Sequence, residues 1–211
     1  DKPFKSHFFS LINKKISFFN FDESILSLKL QQTSSDDYLK SYKLKSPIIE
    51  SDSVMHSYLE INANNDDLSL TSSVEIYEDL NKPDRDRYEF IYPNFNLLKE
   101  FKNNTNISGN FSLNTFGYAK THNTNVNEKI IVNDLIFNSD PIISKKGFRN
   151  TYTYLFKNSN TDSSNSSNYK SGMDNKIDFL FEYNTSYPLI KKSERFNTTL
   201  GPLMTFKYSL N

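Results

Sequence analysis

The chain has no cysteine, no tryptophan, five glycines and three histidines in 211 residues. Each shortage removes a class of chemistry. Without cysteine there is no disulfide scaffold, no thiolate metal site and no thiol nucleophile, although the compartment is left open. His7, His56 and His122 stand too far apart for metal-ligand spacing. No G-x-x-x-x-G-K-[ST] run exists, and so few glycines leave little room for a phosphate-cradling loop. Neither charge sign is in excess: 25 basic and 25 acidic residues give a net charge of zero. The chain as a whole therefore has no general drive toward nucleic acid or anionic headgroups. There is no apolar run of about 18 residues, so no transmembrane helix is expected. No charged-then-apolar leader follows Asp1, and no signal peptide is expected either.

What the chain does have is 18 phenylalanines and 13 tyrosines beside a mean hydropathy of −0.64. Low hydropathy usually accompanies disorder, but disordered chains are poor in aromatics. Lysines outnumber arginines 21 to 4, and Asn, Lys, Ile, Phe and Ser dominate, the mark of an AT-rich coding bias. That bias also explains the N-x-[ST] matches at Asn103, Asn106, Asn110, Asn165, Asn184 and Asn197, so they carry no glycosylation signal.

Alternation of period two resolves the paradox. In 68–77, Leu68, Leu70, Val74 and Ile76 fall on one face, and Ser69, Thr71, Ser73 and Glu75 on the other. In 24–32, Leu26, Leu28 and Leu30 alternate with Ser27, Lys29 and Gln31. In 176–187, Ile177, Phe179, Phe181, Tyr183 and Tyr187 alternate with Asp178, Glu182, Asn184 and Ser186, and only Leu180 breaks the pattern. In 198–208, Leu200, Met204, Phe206 and Tyr208 share a face. The pattern predicts strands near 7–19, 24–34, 53–63, 68–79, 86–97, 107–121, 128–139, 147–158, 176–188 and 196–210. Most exceed the roughly 5–6 residues usual for soluble strands. Short Asn/Asp turns are expected at 20–23 and 64–67, a long polar piece at 35–52, and a mobile Ser/Asn loop near 158–175.

Long amphipathic strands joined by alternately short and long connections are the pattern of an outer-membrane β-barrel. Hydrocarbon requires every backbone polar group to be paired, and a tilted strand needs about 9–11 residues to cross. Tyrosines near strand ends, among them Tyr38, Tyr42, Tyr77, Tyr88, Tyr92, Tyr118 and Tyr187, would then supply interfacial girdles. A soluble all-β sandwich, barrel or solenoid also alternates and stays open as the other reading.

Segment 6–44 has a strand, an Asp-containing turn, an alternating strand ending in Gln31-Gln32, then Ser35-Asp36-Asp37-Tyr38-Leu39 and Tyr42. Ser53-Val54 through Glu60, Arg87-Tyr88 to Tyr92-Pro93, Ser108-Gly109-Asn110-Phe111-Ser112-Leu113, and Tyr187-Pro188-Leu189 followed by Leu200-Gly201-Pro202 continue the series in order. The succession resembles the barrel domain of the LPS-assembly outer-membrane protein family LptD (organic solvent tolerance proteins), alphaproteobacterial type. The family's usual Arg positions are often Lys or Asn here. The resemblance implies a barrel of about two dozen strands and an N-terminal jelly-roll domain. This chain would be an internal fragment of it: an all-β, antiparallel up-and-down meander of about ten long strands.

The resemblance further implies location in the outer membrane of a Gram-negative bacterium. Lipopolysaccharide and membrane lipid would be partners, with a plug lipoprotein of the LptE type in the lumen and periplasmic LPS-bridge proteins acting through the N-terminal domain. It implies no cofactor, no metal and no nucleic acid. Leu68, Leu70, Val74, Ile76, Ile177, Phe179 and Phe181 would face lipid. Ser69, Thr71, Ser73, Glu75, Asp178, Glu182 and Asn184 would face the lumen, toward the plug or LPS. No catalytic set is expected. Adjacent carboxylates such as Asp36-Asp37 and Asp66-Asp67 do not converge across a cleft, and no G-x-S-x-G occurs. His56 reads as a polar lumen residue. Tyr152, Tyr154 and Phe156 read as a lipid-facing or interfacial stripe rather than a sugar-binding platform, and Lys145-Lys146 and Lys191-Lys192 as solvated turns or contacts to LPS phosphate. Another outer-membrane barrel, such as a porin or a TonB-dependent receptor, and a soluble all-β surface or adhesion module remain the alternatives.

Overall fold

The computed structural model describes residues 5–43, 46–83, 86–101, 108–123, 125–193 and 195–210. Asp1, Leu44, Asn103, Asn106 and Ile107, which enter the readings above, lie outside them. Nearly all of the regular structure described is β. The strands are β1 (His7–Lys15), β2 (Glu23–Thr33), β3 (Val54–Asn64), β4 (Leu68–Asp79), β5 (Tyr88–Phe101), β6 (Gly109–His122) and β7 (Val126–Ser139). They continue as β8 (Ile142–Ile143), β9 (Arg149–Ser164), β10 (Gly172–Ser186), β11 (Leu189–Lys192), β12 (Asn197–Leu200) and β13 (Leu203–Leu210).

One sheet takes eleven of these strands, in the order β1-β2-β3-β4-β5-β6-β7-β9-β10-β13, with β8 paired to β9. β11 and β12 form a separate two-stranded ribbon. The order is sequential, so the expected antiparallel meander is what the chain builds. β1 and β13 each have a single neighbour in this order, and the sheet does not close into a barrel.

The local chemistry explains the hairpins. Between β3 and β4 the Asn65 side chain accepts from the amides of Asp67 (3.2 Å) and Leu68 (2.9 Å), an Asx turn that fixes the register. Cross-strand partners then run from Val54↔Asp79 to Asn64↔Ser69. Gly109, which opens β6, has φ +154, and a Cβ there would lie 2.5 Å from the Asn138 carbonyl oxygen. Only glycine allows that approach.

Three expectations are corrected. The piece 35–52 contains a one-turn helix, α1 (Tyr38–Tyr42), ended by Lys43 at φ 47, whose amide donates to Leu39 O. It buries Tyr38 and Leu39 against Met55 and Leu80, so Tyr38 belongs to a small core rather than to a girdle. The loop near 158–175 shrinks to residues 165–171, because β9 continues to Ser164 and β10 begins at Gly172. The Ser/Asn tract pairs as strand since hydroxyls and amides bond sideways: Asn175 Nδ2 donates to Asn160 Oδ1 (2.6 Å) and Ser163 Oγ to Lys170 O (2.8 Å). Finally, 196–210 is not one strand. Pro202 has no amide for a ladder, so the chain breaks at Gly201-Pro202. Leu200 pairs with Leu189 in the ribbon and does not share a face with Met204, Phe206 and Tyr208.

The chain divides into two compact units. The first holds residues 1–98, 115–132 and 160–175; the second holds 99–114, 133–159 and 176–211. In the first, the compact apolar cluster is Tyr38, Leu39, Met55 and Leu80, with Phe9 and Ile49 against it. In the second, Phe111, Phe137, Tyr154, Phe181 and Tyr152 follow one another as ring contacts at 4.6, 6.1, 5.0 and 6.4 Å.

Candidate functional site

In the first unit, register places Ser69, Thr71, Ser73 and Glu75 on one face with Asn64, Asn62, Glu60 and Tyr58. Direct antiparallel partners project to the same side. Leu70, Val74 and Ile76 share the other face with Ala63, Leu59 and Ser57, and Leu68 joins them by alternation. The exposures are inverted relative to a water-soluble sheet. Ser73 and Glu75 are 5% and 9% exposed, while Val74 and Ile76 are 45% and 40% exposed. Polar residues are covered and branched aliphatics are bare, the reverse of the usual sorting.

Along β4 the covered face is satisfied by hydrogen bonds, as burial requires. Ser69 Oγ donates to Asn64 Oδ1, and Thr71 Oγ1 to Asn62 Oδ1, both at 2.7 Å. Glu75 is the centre. Its Oε1 accepts from Ser73 Oγ (2.5 Å) and Asn94 Nδ2 (2.9 Å). Its Oε2 accepts from Tyr77 OH (2.9 Å) and lies 3.0 Å from His56 Nε2. A carboxylate offers about four acceptor positions, and here all are used by side chains of three strands. His56 stacks on Tyr77 at 4.0 Å with the rings 8° apart. Its ring therefore lies opposite Met55, Leu59 and Ile61. Tyr77, expected in a girdle, belongs to this polar face instead.

Beside it, the buried Lys29 ammonium pairs with Glu50 and lies 5.8 Å from the Tyr58 ring centroid. Glu50 lies in the connection before β3, and Lys29 holds its carboxyl below the usual range. A second carboxylate, Glu128 of β7, is almost fully covered. It accepts from Ser166 Oγ (2.6 Å) and Asn168 Nδ2 (3.3 Å), with Lys120 Nζ at 3.8 Å. Lys120 also reaches Glu89 at 3.5 Å. The arrangement is a bonded polar lining rather than an acid–base dyad. Among the described residues, no three of His, Cys, Asp and Glu are grouped to hold a metal ion.

In the second unit, Glu182 pairs across the ladder with Lys207 and Asn184 with Thr205. The contacts are an ion pair of 2.7 Å and a hydrogen bond of 2.6 Å, and Asn184 also donates to Glu182 at 2.7 Å. Asp178 lies on their side by alternation. Phe179 and Phe181 face the same way as Leu210 and Tyr208, and Ile177, on that side, is 58% exposed. Tyr152 and Tyr154 meet these rings, whereas Tyr187 packs on Phe148 at 4.8 Å.

The residues that sequence reading groups on one face of 68–77 and of 177–184 are thus grouped by the fold, whereas Leu200 is separated from Met204, Phe206 and Tyr208. It missed Glu50, Asn94 and Glu128 as members of the polar lining. The charged or amide residue inside an alternating run was the available signal for Asn94 and Glu128. Nothing local marks Glu50.

The sheet defines a class by its architecture: a long-stranded antiparallel meander, with a hydrogen-bonded polar face around Glu75 and exposed Val74 and Ile76 on the opposite side of β4. No family model matches the chain, and no curated protein matches it.

Proposed function

We propose that this chain is part of the barrel wall of an outer-membrane lipopolysaccharide translocon of the LptD type. The observation that carries the reading is the inversion on β4, where Ser73 and Glu75 are covered and Val74 and Ile76 are bare. A bilayer rewards that sorting, because apolar side chains meet lipid and polar ones meet a wet lumen. Strands of 14–16 residues in β5, β6, β7, β9 and β10 exceed the crossing length of about 9–11. The unpaired edges of β1 and β13 are completed by further strands of the same barrel, since hydrocarbon tolerates no open edge.

In this reading Leu68, Leu70, Val74, Ile76, Ile177, Phe179 and Phe181 face lipid. Ser69, Thr71, Ser73, Glu75, Asp178, Glu182 and Asn184 face the lumen, where a plug lipoprotein sits. The wall offers acyl chains an apolar path and sugars a wet one, with no catalytic residue. The test is a photo-crosslinking residue placed in the full-length protein in cells. At Thr71 or Asn184 it should capture a lipoprotein; at Val74 or Ile177 it should capture lipid. Depleting the protein should also stop lipopolysaccharide from reaching the cell surface. Recovery of the protein in the detergent-free soluble fraction would favour a soluble all-β module instead.

A further inference from the structure

The chain's neutral total conceals a local excess. No acidic residue lies between Asp140 and Asp162, and Glu194 is the sole acid of 183–211. Two hairpins of the second unit fall in these stretches. Lys145, Lys146 and Arg149 sit on the β8–β9 hairpin, and Lys191, Lys192 and Arg195 on the β11–β12 hairpin. All six are exposed, and none has an acidic partner among the described residues.

Both hairpins are built rather than loose. Ile142↔Asn150 and Ile143↔Arg149 pair across the first. Its turn closes through Ser144 N to Phe148 O (2.8 Å) and Gly147 N to Ser144 O (2.9 Å). Gly147 has φ +86. The second closes through Ser193 N to Phe196 O (3.1 Å). The Phe148 ring rests on Tyr187, two residues before β11, so the base of the second hairpin is seated against the tip of the first. At about 3.3 Å per strand residue, Lys191 lies roughly 13 Å along the chain from that contact.

Next to the first hairpin is an apolar cavity of about 640 Å³, lined by Phe111, Phe137, Ile142, Tyr152 and Tyr154 together with Ser108 and Ser139. Ile142 belongs to both features. Apolar side chains around the cations are bare: Ile143, Ile190 and Phe196 are among the most exposed of the unit. Fixed cations, flanking exposed hydrophobes and an adjacent aromatic cavity match an amphiphile with an anionic head and an apolar tail.

We propose that the β8–β9 and β11–β12 hairpins form a docking surface for anionic phospholipid headgroups of the surrounding bilayer. Lys145, Lys146 and Arg149 take the phosphate, and the Ile142 cavity takes the first part of a chain. Charge complementarity selects the occupant, since these hairpins carry six cations against one acid, Glu194, while the rest of the chain carries 19 basic and 24 acidic residues. The proposal rests on the membrane-wall reading above.

The test reconstitutes the full-length protein in vesicles of equal parts phosphatidylglycerol and phosphatidylcholine. The protein is then withdrawn in mild detergent and its retained lipids are measured by mass spectrometry. Phosphatidylglycerol should be enriched over the bulk. Replacing Lys145, Lys146 and Arg149 by Gln should reduce the enrichment by about fivefold per cation. Lys157→Gln, whose ammonium is paired with Asp134 at 3.2 Å, should leave it unchanged. Equal retention of both lipids by an inserted protein overturns the docking surface and spares the barrel. Displacement of the lipid by millimolar inorganic phosphate also overturns it, because the site then takes a free anion. Carbonate extraction reports insertion separately. If the protein does not insert, the barrel reading falls, and flotation decides the surface alone. Flotation with phosphatidylglycerol vesicles that the Gln variant loses upholds it, and no flotation overturns it.

Discussion

Around Glu75, donors from three strands converge on one carboxylate; around Tyr154, rings from two neighbouring strands crowd one ring. The first cluster is directional and the second is not. Hydrogen bonds on the polar face have distances of 2.5–3.0 Å and admit one register. The ring contacts range from 5.0 to 6.3 Å and depend mainly on area. Neighbouring strands bring side chains into contact within each face of a sheet. Here one unit does so mainly with polar groups, the other mainly with aromatic ones.

The difference can be broken most severely from the apolar side. Phe179→Arg or Ile177→Arg should cost about 2–4 kcal/mol of unfolding free energy in the bilayer, and Asn184→Arg much less. Urea titration of the reconstituted full-length protein measures it, and equal losses would refute the facing assignment. Next, Glu75→Ala should cost about 1–3 kcal/mol, because it leaves covered donors without an acceptor. Its effect should stay in the first unit, as hydrogen exchange of β3 and β4 against β13 would report. A finer comparison uses one chemical change at two sites. Tyr77→Phe should lose about 1 kcal/mol with its bond to Glu75, whereas Tyr154→Phe keeps its ring contacts and should be close to neutral. Comparable losses in the two variants would erase the contrast.

The smallest effect is pH. Asp37, at the start of α1, is held by the Ser35 hydroxyl and by Lys5, and its carboxyl falls from the ordinary 3.8 to about 2. A lowered value means that the ionised form supports the fold. The support is complete above the unfolded value and is lost as pH falls through about 2. Tyr38 and Tyr42 fluorescence should therefore hold steady down to about pH 4 and change only below it. Loss of the signal near neutrality would mean that another group anchors the helix.

The long strands and their faces were legible because alternation is local: the side of Val74 is decided by its distance from Ile76. Partners were not legible. His56 and Glu75 are 19 residues apart, and Ser166 and Glu128 are 38 apart; they meet only once the register is set. The Ser/Asn tract misled because a strand was assumed to need an apolar face, whereas Ser163 and Asn175 are held by polar contacts. Helix α1 escaped notice because one turn is too short for a 3.6-residue period to appear. The break at Gly201-Pro202 was visible in the letters, but the alternation on either side of it outweighed the missing amide.

The sequential strand order has a kinetic consequence. Each strand of the main path hydrogen-bonds to its predecessor in that path, so most of the loops closed on pairing are short, the connections 34–53 and 187–202 being the long ones. Loop closure becomes costlier only slowly with length, but long-range pairing delays folding most. A Greek key must wait for a distant strand. This sheet can zip up in the order of its chain, with each finished strand serving as the template for the next.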